Sequence, residues 1–291
     1  MKTLTSPKLL KELLARHGFQ FSRSLGQNFL IDENILQKII KGAAIFPEDR
    51  VLEIGPGVGT LTTALAKKAE RVVAVEIDRS LLPILQETLE GFSNVEVIHG
   101  DILKLNLDDL IEDRFGRQPF KVVANLPYYI TTPIIMRFLE EEHPYASITV
   151  MVQKEVAERL AAQPGSKEYG ALSVAVQFYT RPQILCKVPA SVFLPPPRVD
   201  SMVVTLEKRS KPAVDVASRS CFFQVVKAVF AQRRKTLLNT LTAAGMTSMD
   251  KTALSQMLIA LNIDPKRRGE TLTLKELADI SNQIKPSRPQ A

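Results

Sequence analysis

From residue 51 onward, short β-branched runs alternate with longer segments whose apolar residues recur at helical spacing. Val51–Ile54, Arg71–Glu76, Val95–Ile98, Lys121–Ala124 and Ile148–Val152 read as strands. Between the first two, Leu61, Ala64, Leu65 and Lys68 share one face of a helix over Thr60–Lys68, and Leu81–Leu89 shows the same pattern. Strand–helix alternation of this kind predicts an α/β domain, a mostly parallel sheet with helices on both faces. Two later runs, Ala171–Tyr179 and Ser201–Glu207, lack a good helix between them and are expected to pair antiparallel at one sheet edge. Val188–Pro197 is too rich in proline for a helix or a central strand and is expected to be a rigid loop.

Past Lys208–Arg219, where charge mixes with serine and proline, the pattern turns helical. Phe222, Val226, Val229, Leu237 and Leu241 recur near helical spacing, Gly245 is a plausible stop, and Thr273 and Glu276 form a capping-box pattern. The expected division is therefore an α/β domain over 1–207, with a helix-like N-terminal extension over Met1–Arg16, and a smaller all-helical domain over 208–291.

Composition excludes some classes. With 45% hydrophobic and 24% charged residues, the 291-residue chain resembles an ordinary soluble protein. Its longest apolar runs have strand length, and Met1–Arg16 lacks a signal-peptide core, so a cytoplasmic location and no membrane partner are expected. Cys186 and Cys221 are too few and too far apart for a zinc site, and no metal is expected. The net charge of +7 is unevenly placed: residues 208–291 hold 15 Lys/Arg against 6 Asp/Glu. The remainder is slightly acidic. A near-neutral domain joined to a basic one favours a polyanionic partner.

The candidate chemistry falls at successive strand ends. Glu53-Ile54-Gly55-Pro56-Gly57-Val58-Gly59-Thr60-Leu61 joins the first strand to the first helix, and its glycines allow a tight turn and close approach to a ligand. Glu76 ends the next strand, where an acid can accept both hydroxyls of a ribose. A dinucleotide fingerprint would need Gly or Ala at position 60, which is Thr60, and Glu53 would oppose a phosphate. S-adenosylmethionine, with a sulfonium, an α-amine and no phosphate, suits these residues better. Asp101, after the third strand, can accept a hydrogen bond from an adenine N6. Asn125-Leu126-Pro127-Tyr128, after the fourth, combines an amide, a rigid turn and a ring that could hold a planar base bearing an exocyclic amine.

Together these residues resemble the S-adenosylmethionine-dependent ribosomal RNA adenine dimethyltransferases, over nearly the whole chain. Leu25-Gly26-Gln27-Asn28-Phe29-Leu30, Phe193 to Ser201, and Phe230-Ala231-Gln232-Arg233-Arg234-Lys235-Thr236-Leu237 complete the match. The resemblance implies a Rossmann-like class I methyltransferase sheet with one antiparallel edge strand. It implies cofactor contacts from Asn28, Leu30, Glu53, Gly55, Gly57, Glu76, Ile77, Asp101, Ile102 and Asn125. It also implies an RNA-binding helix carrying Arg233, Arg234 and Lys235, with Arg267 and Arg268 as a second basic cluster. The motif contexts look like the branch that dimethylates two adjacent adenosines in the 3′-terminal hairpin of 16S rRNA, within the small (30S) subunit or its precursor. The chain is expected to act as a monomer.

In that mechanism Asn125 and the Leu126 or Pro127 carbonyl would accept the two N6 hydrogens, with Tyr128 and Phe193 stacking on opposite faces of the base. No strong general base is required, and His17, His99 and His143 are expected to be structural or surface residues. Alternatives are a large-subunit (23S) rRNA adenine methyltransferase conferring antibiotic resistance, a DNA adenine methyltransferase, and a methyltransferase-fold assembly or transcription factor.

Overall fold

The computed structural model describes residues 4–22, 25–116 and 118–284. The chain forms two compact units, Met1–Ala157 with Arg181–Lys208, and Glu158–Thr180 with Arg209–Ala291. This differs from the single break at 207/208 expected above, because an earlier segment, 158–180, also joins the second unit.

In the first unit the elements are α1 (Pro7–Arg16), β1 (Phe29–Leu30), α2 (Glu33–Gly42), β2 (Arg50–Ile54), α3 (Thr60–Ala66), β3 (Arg71–Glu76), α4 (Leu82–Thr88) and β4 (Val95–His99). They continue with α5 (Leu107–Phe115), β5 (Phe120–Asn125), α6 (Thr131–Glu140), β6 (Tyr145–Gln153) and α7 (Lys154–Ala161), the last reaching into the second unit. The first three residues of the N-terminal extension lie outside the described residues; the rest contains the expected helix. The five predicted strands all form. The strands β2 and β3 are nearly continuous apolar runs because both faces are covered: Val72, Val73 and Ala74 are fully buried.

Ala171–Tyr179, expected to be a strand paired with Ser201–Glu207, instead forms the helix α8. Residues Leu172 to Phe178 are all buried, so the segment is apolar all round and carries no amphipathic period to distinguish helix from strand. The strand of this region is the next one, β7 (Thr180–Val188), at the sheet edge, where Pro182 is tolerated. The two-residue β8 (Phe193–Leu194) and then β9 (Ser201–Lys208) follow. The proline-rich stretch is a short 3₁₀ turn, Ala190–Val192, running into β8, which pairs antiparallel with β1.

The sheet order is β4-β3-β2-β5-β6-β9-β7, with β9 antiparallel to β6 and the β2–β6 neighbours parallel. Chain order reverses between β2 and β5, and open α/β sheets bind ligands at the carboxyl ends of strands flanking such a reversal. Gly55, Glu76 and Asn125 all sit at those ends.

The second unit holds α8 with α9 (Arg219–Ala231), α10 (Leu237–Ala244), α11 (Lys251–Ala260) and α12 (Leu274–Gln283). Phe178 of α8 stacks on Phe222 of α9 with ring centroids 5.0 Å apart, and Val226, Val229, Leu237 and Leu241 join the same buried cluster. Gly245 ends α10 in the left-handed region at φ 59°, and Thr273 and Glu276 close both bonds of their capping box.

The segment expected to be an RNA-binding helix is not continuous. Helix α9 stops at Ala231, Gln232 leaves helical geometry, and the three consecutive basic residues form a turn before α10. The first N–H groups of α10 donate to other acceptors, Leu237 N to the Arg267 carbonyl at 2.7 Å and Leu238 N to the Pro265 carbonyl at 3.2 Å. Satisfying these orphan donors through the 264–268 loop lets a new helix start here.

Candidate active site

A cleft, open to solvent at its mouth, lies over the carboxyl ends of β2, β3 and β5. Every residue expected to bind the cofactor lines it: Asn28, Leu30, Glu53, Gly55, Gly57, Glu76, Ile77, Asp101, Ile102 and Asn125. Leu126, Pro127 and Tyr128 line it as well.

The glycine loop owes its shape to residues without Cβ. Gly55, Gly57 and Gly59 all have positive φ, and a Cβ at Gly57 would stand 3.0 Å from the Phe29 ring. Glu76, 4% exposed, ties two loops together: Gly57 N–H donates to Oε2 at 3.1 Å and Asp78 N–H to Oε1 at 2.8 Å. Burial pushes its carboxyl above the ordinary range, and these backbone donors temper the rise. Asp101 accepts from Leu103 N–H at 3.0 Å, and Lys104 Nζ lies 3.6 Å from its other oxygen.

Glu53 is the unusual member. It is 1% exposed, and no group hydrogen-bonds its Oε2. Burial pushes its carboxyl from an ordinary 4.5 to about 8; the nearby Thr62 hydroxyl opposes the rise, and the neighbouring charge of Glu76 adds a smaller push upward. The folded state therefore keeps a proton that the unfolded chain loses above 4.5, and ligand-free stability should fall as pH rises from 4.5 towards 8. The expected slope is at most about 1.4 kcal/mol per pH unit from this group. Urea denaturation across that range should show it, and Glu53→Gln, which mimics the protonated form, should flatten the curve. An unchanged slope in the variant would assign the effect elsewhere.

Asn125 Nδ2 donates to the Asn28 carbonyl at 3.1 Å, which orients the amide and leaves Oδ1 as its remaining acceptor. The Pro127 carbonyl is already used twice: Ile130 N–H donates to it at 3.2 Å and the Thr131 hydroxyl at 3.1 Å. The expectation that either carbonyl could serve a base is thus narrowed to Leu126, because the turn after proline consumes the other. Tyr128 is half-buried and its hydroxyl is 2.9 Å from Ser201 Oγ, which fixes the ring. Burial raises its phenol pKa, so it stays neutral.

Phe193 is not brought to the cleft. Its ring is 3% exposed and packs in the core cluster that includes Leu30, Leu36 and Val188, the β1–β8 pairing setting it opposite Leu30. The expected second stacking face is therefore corrected. Tyr129, to which the sequence motifs assign no role, lines the cleft and is 55% exposed, with its ring beside Gly26. Gln27 belongs to the Leu25–Leu30 motif. It accepts from Ser22 N–H at 2.9 Å and donates to Asp78 at 2.5 Å, binding the N-terminal segment to the loop after β3.

Among the described residues, three carboxyl groups and no Lys, Arg or His line the cleft. His17 faces Glu87, His99 the Ile77 carbonyl, and the buried His143 faces Glu141. Among the described residues no group of acids, histidines or cysteines is gathered to hold a metal ion. Such a donor set disfavours phosphates and fits a cationic nucleoside. The open face at Gly55 and the orphaned Glu53 oxygen both match that requirement.

In the second unit the basic residues divide. Arg233 donates to the Lys167 carbonyl at 2.5 Å and pairs with Glu270 at 3.5 Å. Arg267 pairs with Glu276 and donates to the Thr271 carbonyl at 2.7 Å. Both hold loops. Arg234, Lys235 and Arg268 are exposed, with no partner for their side chains among the described residues.

The doubly wound sheet, its glycine loop, the acids at the ends of β3 and after β4, and the Asn-Leu-Pro-Tyr turn at β5 define a Rossmann-like class I methyltransferase. The chain belongs to the ribosomal RNA adenine dimethylase family, whose model matches residues 18–279. It is 53% identical over 284 residues to the Ribosomal RNA small subunit methyltransferase A of Alkaliphilus metalliredigens (strain QYMF), covering 98% of this chain and 99% of that one. A dimethyladenosine transferase from Plasmodium falciparum superposes with a TM-score of 0.72 at 28% identity, covering 87% of this chain and 95% of that chain. The 23S rRNA methyltransferase ErmE gives 0.70 at 26% identity, covering 88% and 99%. Among the described residues no helix is long and apolar enough to cross a membrane.

Proposed function

We propose that this protein catalyses the S-adenosylmethionine-dependent N6,N6-dimethylation of two adjacent adenosines in the 3′-terminal hairpin of small-subunit (16S) rRNA, acting on the 30S subunit or its precursor. The observation that carries the substrate is the 53% identity, over nearly all of both chains, to a relative named as a small-subunit methyltransferase. The likeness to the 23S enzyme is only 26%. Purified protein incubated with S-adenosylmethionine and subunits lacking the modification should dimethylate small-subunit RNA and leave large-subunit RNA unmodified, as read by nucleoside mass spectrometry. Methylation of 23S RNA alone would overturn the reading.

The cofactor supplies a methyl group on a sulfonium. Glu76 is placed to accept from ribose hydroxyls and Asp101 from an adenine amine. Asn125 Oδ1 and the Leu126 carbonyl accept the two N6 hydrogens of the target. This favours a pyramidal nitrogen and is strongest as positive charge develops there. Tyr128 offers a stacking face, worth about 1–3 kcal/mol. Alignment of the target nitrogen lowers the entropic part of the barrier. Once methylated, the nitrogen is acidic enough to release its proton to water, so no histidine is needed in the cleft as a base.

Arg234, Lys235 and Arg268 are the proposed phosphate contacts. Arg234→Ala, Lys235→Ala and Arg268→Ala should leave the melting temperature unchanged, weaken RNA binding, and each lower the salt slope of log K by about 1. Arg233→Ala and Arg267→Ala should lower the melting temperature, since each leaves a partly buried carboxylate unpaired. Equal melting temperatures across all five would sink this division.

A further inference from the structure

Of the three carboxyl groups that line the cleft, Glu53 is the one the mechanism above does not use. This carboxyl lies at the root of the glycine loop, lines the cleft, and is 1% exposed. Its Oε2 has no hydrogen-bond partner. The other titratable groups lining the cleft are Glu76 from β3, Asp101 from the loop after β4, and Tyr128 and Tyr129 after β5; α3 contributes Thr60 and Leu61, neither of which titrates. Among the described residues that line the cleft there is no lysine, arginine or histidine. A buried carboxylate without a cation is costly, and the group avoids the cost by holding a proton. Glu76 differs, because two backbone N–H groups already stabilise its charge.

We propose that Glu53 is the ligand-charge sensor of the cleft: neutral when the cleft is empty, it gives up its proton to solvent when an organic cation binds, and thereby selects cationic over neutral nucleosides. The Glu53 O–H bond breaks, the proton leaves to the buffer, and the carboxylate is paired by the cation of the ligand. The inference rests on the reading of the cleft as the S-adenosylmethionine site and adds to it a charge selectivity that Glu76 and Asp101 do not supply. Its carboxyl pKa near 8 puts the transition within a testable range. Below that value, affinity for a cationic ligand should rise about tenfold per pH unit and then level off.

The experiment is titration calorimetry of the full chain at pH 7 in two buffers of different ionisation enthalpy, with three probes. S-adenosylmethionine carries a sulfonium, an α-ammonium and an α-carboxylate, S-adenosylhomocysteine the ammonium and carboxylate without the sulfonium, and 5′-methylthioadenosine none of the three. S-adenosylmethionine should release close to one more proton than methylthioadenosine. The comparison subtracts any proton released from Glu76, because both ligands present the same ribose. Release with S-adenosylhomocysteine would name the ammonium as the paired cation, and its absence would name the sulfonium; either supports the proposal. In Glu53→Gln the excess release should vanish, the pH slope should flatten, and methylthioadenosine affinity should be unchanged. Binding of S-adenosylmethionine with no excess proton, or with the same excess in the variant, would overturn the inference while leaving the cofactor site intact. Failure of all three probes to bind would instead overturn the reading of the site.

Discussion

Asn125→Ala is expected to bind S-adenosylmethionine nearly as well as the parent and to lose about 10²–10³-fold in kcat. The side chain has two engagements with different consequences. Its Nδ2 donates to the Asn28 carbonyl, which positions the amide, and its Oδ1 is left to face the cleft. The cofactor retains Glu76 and Asp101, so its affinity depends little on this amide. The target nitrogen loses one of two acceptors at the moment its charge grows, and a preorganised group acting on developing charge is worth about 3–4 kcal/mol. Single-turnover methylation of substrate RNA, with calorimetric cofactor binding alongside, separates the two. Asn125→Asp refines the test, because it keeps acceptors but loses the donor that fixes orientation. A variant with Ala at this position and undiminished turnover would remove Asn125 from the chemistry.

The first unit was legible because its core follows simple periodicity. Strands buried on both faces read as short β-branched runs, and the acids and the amide fall where those runs end. Legibility failed where burial erased the pattern. Ala171–Tyr179 is apolar all round, and alternation cannot separate a fully buried helix from a strand. The residues of the cleft were found by type and position, whereas their hydrogen-bond state was not. That the Pro127 carbonyl is consumed by Ile130 and Thr131 depends on a turn three residues long. Phe193 shows the converse: an aromatic residue within a motif lies in the core because a two-residue ribbon carries it there. The basic run Arg233–Lys235 looked uniform, and only the positions of Glu270 and the Lys167 carbonyl distinguish Arg233 from its neighbours.

Glu76→Ala should weaken S-adenosylmethionine and 5′-methylthioadenosine alike, by on the order of 10²-fold or more, since hydrogen bonds to a charged group contribute about 1.5–3 kcal/mol each. Two effects add. The ribose loses its acceptor, and the Gly57 and Asp78 N–H groups lose the carboxylate that anchors both loops. Glu76→Gln is not a mild substitute, because one backbone N–H would then face an amide N–H inside a site that is 4% exposed. The pattern across ligands is the decisive quantity. A ribose contact is common to both nucleosides, so their affinities must fall together, in contrast to Glu53→Gln, which should touch only ligands bearing a cation. Loss confined to S-adenosylmethionine in Glu76→Ala would mean that this acid, and not Glu53, answers the ligand's charge, and the roles of the two carboxyls at the ends of β2 and β3 would have to be exchanged.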